Sequence, residues 1–206
     1  MKRLLFLIVE LILAFSSQSH AAYIVDTGSG WEQFGVSIYN RTDGDYQFNA
    51  GQFTLGQAYT ISSLETWMYS VDAGSVDLVL YGDNGNLPDP NNEILRQSFS
   101  VAAPGPITEW QGLTGLSQSL NQGSYWISLE KTTPTDNFQV NLPSGAPNPL
   151  LHYAYRAEED NGGTWTSYTG HQGFRVGVNN AIPEPSTMLL LGFGLAGLGL
   201  LRRRKK

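Results

Sequence analysis

The chain has no cysteine among its 206 residues. That excludes disulfides, thiolate zinc sites and cysteine nucleophiles. Any folded part must hold through its own core. Basic side chains are scarce in the middle. Of twelve Lys and Arg, seven crowd into the two ends. Between Ala22 and Ala181 only Arg41, Arg96, Lys131, Arg156 and Arg175 remain, against sixteen acids, so this stretch carries a formal charge of −11. A surface that negative repels phosphate backbones and anionic lipid. Nucleic acid is therefore excluded as a partner, while neutral sugars, cations and basic partners stay open.

Catalytic signatures are missing as well. There is no Gly-x-Ser-x-Gly elbow and no His-Glu-x-x-His. The body holds two histidines, His152 and His171. The first reads as packing in an aromatic strand, the second as a solvated turn residue. Sixteen acids offer many carboxylate pairs, and no spacing singles one out for sugar hydrolysis. No catalytic residue is assigned, and a glycan hydrolase is the remaining enzymatic alternative.

What is present points to strands. Trp, Tyr, Phe, Val, Thr, Ser, Asn and Gly dominate the middle, which favours strands and turns over helices. Alternation marks Trp31–Tyr39, with Asp43-Gly44 as a hairpin signal before Tyr46–Phe48 and Gly51–Leu55. Tyr59–Tyr69 is the longest candidate, with a bulge expected near Ser62-Ser63. Ser75–Tyr81 is the clearest, and a long loop is expected over 82–92. Glu93–Val101, two short pieces over 108–120, Gly123–Leu129, Phe138–Val140, Leu150–Arg156 and Gly173–Val178 follow, with Trp165 near a further short strand. About ten short, regularly punctuated strands predict one all-β domain over residues 22–181, a jelly-roll-like β-sandwich with an antiparallel barrel as the alternative.

Two groups of residues in this domain are candidates for binding. Asp83, Asn84, Asn86 and Asp89 gather oxygen ligands in one loop, and calcium takes six to eight oxygens. The bland reading is that Asp, Asn, Gly and Pro make turns for backbone reasons. Trp110 and Trp165 stand near turns among polar neighbours and are candidates for exposed rings that stack on sugars. Trp126, in a continuous apolar strand, reads as core.

The ends carry a different message. Met1-Lys2-Arg3, an apolar run from Leu4 to Phe15 interrupted by Glu10, and the small residues up to Ala22 have the layout of a secretory signal peptide. It spans 1–21 as a signal helix, with signal peptidase cutting between Ala21 and Ala22. Residues 182–206 read Pro183-Glu184-Pro185, then an uncharged segment to Leu201, then Arg202-Arg203-Arg204-Lys205-Lys206. The run from Ser186 to Leu201 is a transmembrane helix of roughly 24 Å against a hydrocarbon core of about 30 Å. The basic tail favours the cytoplasmic side, which leaves the domain outside.

This C-terminal arrangement closely resembles the PEP-CTERM sorting signal of exported bacterial proteins. The resemblance implies that an exosortase reads Pro183, Glu184 and Pro185 and removes the tail. It further implies passage to the cell surface or an extracellular polysaccharide matrix. The stretches Gln52–Leu55, Asp77–Gly85 and Gly123–Leu129 look like the exported β-sandwich modules that accompany assorted bacterial C-terminal anchors. That second likeness implies a jelly-roll without assigned chemistry. The expectation is a non-enzymatic structural or interaction protein, with a lectin-like carbohydrate-binding module as the alternative.

Overall fold

The structure, a computed structural model, describes residues 22–30, 35–101, 108–131, 133–135, 137–144, 152–158, 163–168, 170 and 172–179. The expected signal helix and transmembrane helix lie outside them, as do His171, Pro183, Glu184, Pro185 and Ala21. Tyr23–Val178 form one compact unit. No helix among the described residues is long and apolar enough to cross a membrane.

The described residues form strands β1 (Ala22–Asp26), β2 (Gly35–Asn40), β3 (Tyr46–Leu55), β4 (Tyr59–Ser70), β5 (Gly74–Asp83), β6 (Pro88–Val101), β7 (Glu109–Leu120), β8 (Gly123–Glu130), β9 (Val140–Pro143), β10 (Tyr153–Ala157), β11 (Thr166–Tyr168) and β12 (Phe174–Val178). One sheet runs β11-β10-β3-β8-β5-β6, antiparallel throughout. The other runs β1-β12-β4-β7. β2 and β9 join them, since β9 pairs with both β2 and β4, and β2 also pairs with β3. The result is a β-sandwich with a hydrogen-bonded seam between its sheets.

Burial follows from place in the sheet. β5 lies between β6 and β8, and every residue from Val76 to Gly82 is buried. That is why its sequence is nearly continuously apolar rather than alternating. Trp126, Ile61, Leu64, Leu80 and Phe174 are fully enclosed. Each such side chain contributes about 1.5–3 kcal/mol by leaving water. In a chain without disulfides this burial is the main source of stability.

Several sequence expectations need correction. Pro88 to Asn92 belong to β6 rather than to a loop. Among the described residues β6 pairs only with β5, which puts it at a sheet edge, where a proline's missing N–H can face away from the partner. β3 is continuous through Asn49 and Ala50, and β7 is one strand, not two. Phe138 precedes β9 instead of opening it. β1 was not expected at all. The β4–β7 register shifts between Ile61 and Ser63, where a bulge was expected. The hairpin of Asp43-Gly44 also forms, with Gly44 at φ 97° and its N–H donating to the Arg41 carbonyl.

The stretch leading into β9 is pinned by a buried cation. Lys131 is 2% exposed. Its ammonium donates to the carbonyls of Asn40, Thr135 and Phe138 and to Thr135 Oγ1, at 2.7–3.2 Å. Four oxygens compensate the desolvated charge.

Candidate functional site

Alternation along β4 sets up an outward row. Leu64, Thr66 and Met68 are buried, while Glu65, Trp67 and Tyr69 alternate with them and stay partly accessible. Register then decides the neighbours. Trp67 lies opposite Trp110 of β7, and Glu65 lies between Arg175 of β12 and Gly112 of β7. The two indoles meet at 5.4 Å between centroids, tilted by 57°. Trp67 Nε1 donates to the Gly30 carbonyl at 3.1 Å.

Arg175 crosses this row. Its guanidinium carbon sits 3.8 Å from the Trp110 ring centroid and 5.0 Å from that of Tyr23 on β1. Its Nε donates to Asp26 Oδ2 at 3.0 Å. Tyr23 Oη donates to Glu65 Oε2 at 2.7 Å. That hydrogen bond, with lesser help from burial and the Glu65 charge, pushes the Tyr23 pKa upward. Two missing side chains make the packing fit. A Cβ on Gly112 would meet the Leu64 carbonyl oxygen at 2.2 Å, and one on Gly173 would meet Trp67 Cβ at 2.6 Å.

The outcome is a strip of aromatic faces bordered by carboxylates. Tyr23 is 42% exposed. Pyranose rings stack their apolar faces on such rings; of the bordering carboxylates, Asp26 already accepts from the Gly28 N–H and Arg175 on its two oxygens and Glu65 accepts from Tyr23 on Oε2, so further hydroxyls would meet carboxylates that are already held in place. The strip brings together Trp110, expected from sequence, with Tyr23, Glu65, Trp67 and Arg175, which sequence reasoning missed. The Glu65/Trp67 alternation was a readable signal. The arrival of Arg175 and Tyr23 was not, because it depends on the pairing of distant strands.

Trp165 is elsewhere and buried, at 8% exposure. Its expected exposure is thus corrected: the ring packs edge-on to Tyr81 at 6.3 Å. Packing overrides the polar surroundings in sequence. The oxygen-rich loop is also committed internally. Asp83 Oδ1 accepts from Gln52 Nε2 at 2.7 Å and from Trp126 Nε1 at 2.8 Å. Asn86, at φ 67°, donates its N–H to Asp83 Oδ2 at 3.4 Å. The Asn84 N–H closes the turn on Leu87, and Asp89 Oδ1 accepts from the Asn91 N–H. Among the described residues no three His, Cys, Asp or Glu side chains gather to hold a metal.

A second polar cluster lies on β5, β6 and β8. Arg96 Nη2 donates to Glu130 Oε2 at 2.9 Å, Glu93 Oε2 at 2.8 Å and Tyr81 Oη at 3.0 Å. Its Nη1 reaches Asp77 Oδ2 at 3.4 Å. Tyr81 Oη donates to Glu130 Oε1 at 2.8 Å, and the hydroxyls of Ser98 and Ser128 donate to Asp77 and Glu130. Burial opposes the Arg96 charge, but hydrogen bonds and attraction from Glu93 and Glu130 outweigh it and raise its pKa. Burial first, then the Glu130 charge, pushes the Tyr81 phenol well up.

A protein-family model, the PEP-CTERM protein-sorting motif, matches residues 181–205. The chain is therefore that of an exported protein sorted through its C-terminal segment. No curated protein matches it. Among solved structures, a carbohydrate-binding module in complex with calcium and xylotriose is 16% identical, with a TM-score of 0.33. That match covers 52% of this chain and 74% of the module. A family two carbohydrate esterase from Clostridium thermocellum, in complex with cellohexaose, is 13% identical with a TM-score of 0.28. It covers 69% of this chain, which spans only 33% of the esterase.

Proposed function

We propose that this is a non-enzymatic surface or matrix protein whose sandwich domain holds extracellular polysaccharide on its β1-β12-β4-β7 face. Signal peptidase releases the chain between Ala21 and Ala22. Exosortase reads Pro183, Glu184 and Pro185 and removes the apolar helix and basic tail. The observation that supports the binding role is the Trp110–Arg175–Tyr23 stack beside Trp67, with Glu65 and Asp26 at its edges. Aromatic faces combined with hydroxyl acceptors suit neutral sugar chains, and a domain charge of −11 favours neutral over anionic ones.

Affinity electrophoresis through gels containing neutral β-glucan or xylan tests this reading. The wild-type protein is expected to be retarded, and Trp110→Ala and Trp67→Ala to regain most of their mobility. Unretarded wild-type protein in every neutral glycan would overturn the binding role. Mass spectrometry of the exported form tests processing separately; an intact C-terminus outside the cell would overturn it.

A further inference from the structure

Four of the five basic residues in the domain are satisfied. Arg41, Arg96 and Arg175 form ion pairs, and Lys131 is enclosed by oxygens. Arg156 on β10 differs. Its Nε donates to the Gly163 carbonyl, and its guanidinium lies 5.7 Å from the Tyr46 ring centroid. Its terminal nitrogens donate to no described group, and no carboxylate pairs with it among the described residues. Close by is a second unsatisfied donor. Trp165 Nε1 is buried and has no hydrogen-bond partner. A buried donor without an acceptor is costly and rare. Both residues line one cavity of about 300 Å³, walled by Leu87, Pro88 and Pro90, with Asn84 at its margin.

We propose that this cavity binds a carboxylate-bearing saccharide unit, such as a uronic acid residue, with the Arg156 guanidinium as its donor and the Trp165 indole as part of its wall. A guanidinium presents paired N–H groups that match the two oxygens of a carboxylate. The prolines, Leu87 and the indole supply apolar walls for a ring, and the volume is at the small end for ligand pockets, near one ring in size. The net negative charge of the domain opposes an anion; charges beyond about 8 Å are screened at physiological salt, which leaves Glu158, beside Gly163, as the near negative charge that the Arg156 guanidinium has to outweigh. The site is separate from the Trp110 strip, so either can fail without the other.

The test is proton–nitrogen NMR on the ¹⁵N-labelled intact chain in detergent, following the indole N–H signals. Trp165→Phe identifies the Trp165 signal. Titration with sodium glucuronate is expected to move that signal saturably, while glucose and N-acetylglycine leave it nearly still. Arg156→Gln is expected to weaken the titration by about tenfold or more, as loss of a charge-assisted hydrogen bond does. Arg156→Lys, which keeps the charge, is expected to fall between, and serves alone if Arg156→Gln does not fold. Trp110→Ala is expected to change nothing. A stationary Trp165 signal, an equal response to glucose or N-acetylglycine, or an undiminished response in the folded Arg156 variants would each overturn the proposal.

Discussion

Arg96 on β6 and Arg175 on β12 have similar company: carboxylates on their nitrogens and an aromatic side chain in contact. Their surroundings differ. Of the three carboxylates on Arg96, Asp77 and Glu130 are 7% and 4% exposed at the side chain and Glu93 is 38% exposed, whereas the partner of Arg175, Asp26, is 38% exposed with no buried carboxylate paired to that arginine among the described residues. Buried ions rely on one another because water cannot replace a lost partner. Exposed ions rehydrate when separated, so their pairing is weak. The same residue types thus build a structural clamp in one sheet and a hydrated surface strip on the other.

The comparison is broken most forcefully at Arg96. Arg96→Ala leaves the charges of Asp77 and Glu130 buried without their cation, at an expected cost of about 3 kcal/mol. The thermal midpoint is expected to fall by roughly 10 °C, read by calorimetry. A drop as small as that of an exposed pair would mean that the cluster is not the clamp described here.

Alkaline titration sharpens the contrast at intermediate size. Tyr81, and Tyr168 held by Asn49 and Gln172, both have raised pKa values, with burial the largest cause. A phenol that keeps its proton in the folded state but loses it at about pH 10 when unfolded stabilises the fold fully below that pH. The contribution is lost as pH rises above 10 toward the folded-state value. Urea midpoints are therefore expected to decline between pH 9 and 11. Tyr81→Phe and Tyr168→Phe should each flatten the decline. Equal slopes in wild type and both variants would contradict this.

The smallest effects are expected on the outer strip. Arg175→Ala is expected to cost about 1 kcal/mol or less, and Tyr23→Phe less than that, in urea unfolding. Glycan retardation is nonetheless expected to weaken in Arg175→Ala, because Trp110 loses the cation that fixes its ring. A large stability loss with unchanged retardation would reverse the roles assigned to the two arginines.

Much of the fold was legible beforehand. Val76, Leu78 and Leu80 announced β5, Tyr125–Leu129 announced β8, and Asp43-Gly44 announced a hairpin, because turn chemistry and period are local. Pro88 and Pro90 misled, since an edge strand tolerates a proline where its missing N–H faces away from the partner, and among the described residues β6 pairs only with β5. The candidate strip was half legible. The polar neighbours of Trp110 and Trp165 predict exposure for both rings, yet Tyr81 packs against Trp165 and buries it. Nothing local distinguishes those two indoles.

Composition and order along the chain settled several matters alone. Absent cysteine required a core without disulfides, scarce cations required a negative body, and the Pro183-Glu184-Pro185 tail marked an exported, sorted chain. These depend on which residues are present and on short-range spacing, both of which survive unfolding. Tertiary structure decided which arginine is buried, which tryptophan meets water and which donors are left over at Arg156 and Trp165. Those outcomes depend on register between strands whose partners, such as Asp26 and Arg175, lie 149 residues apart, and only the folded chain brings such partners together.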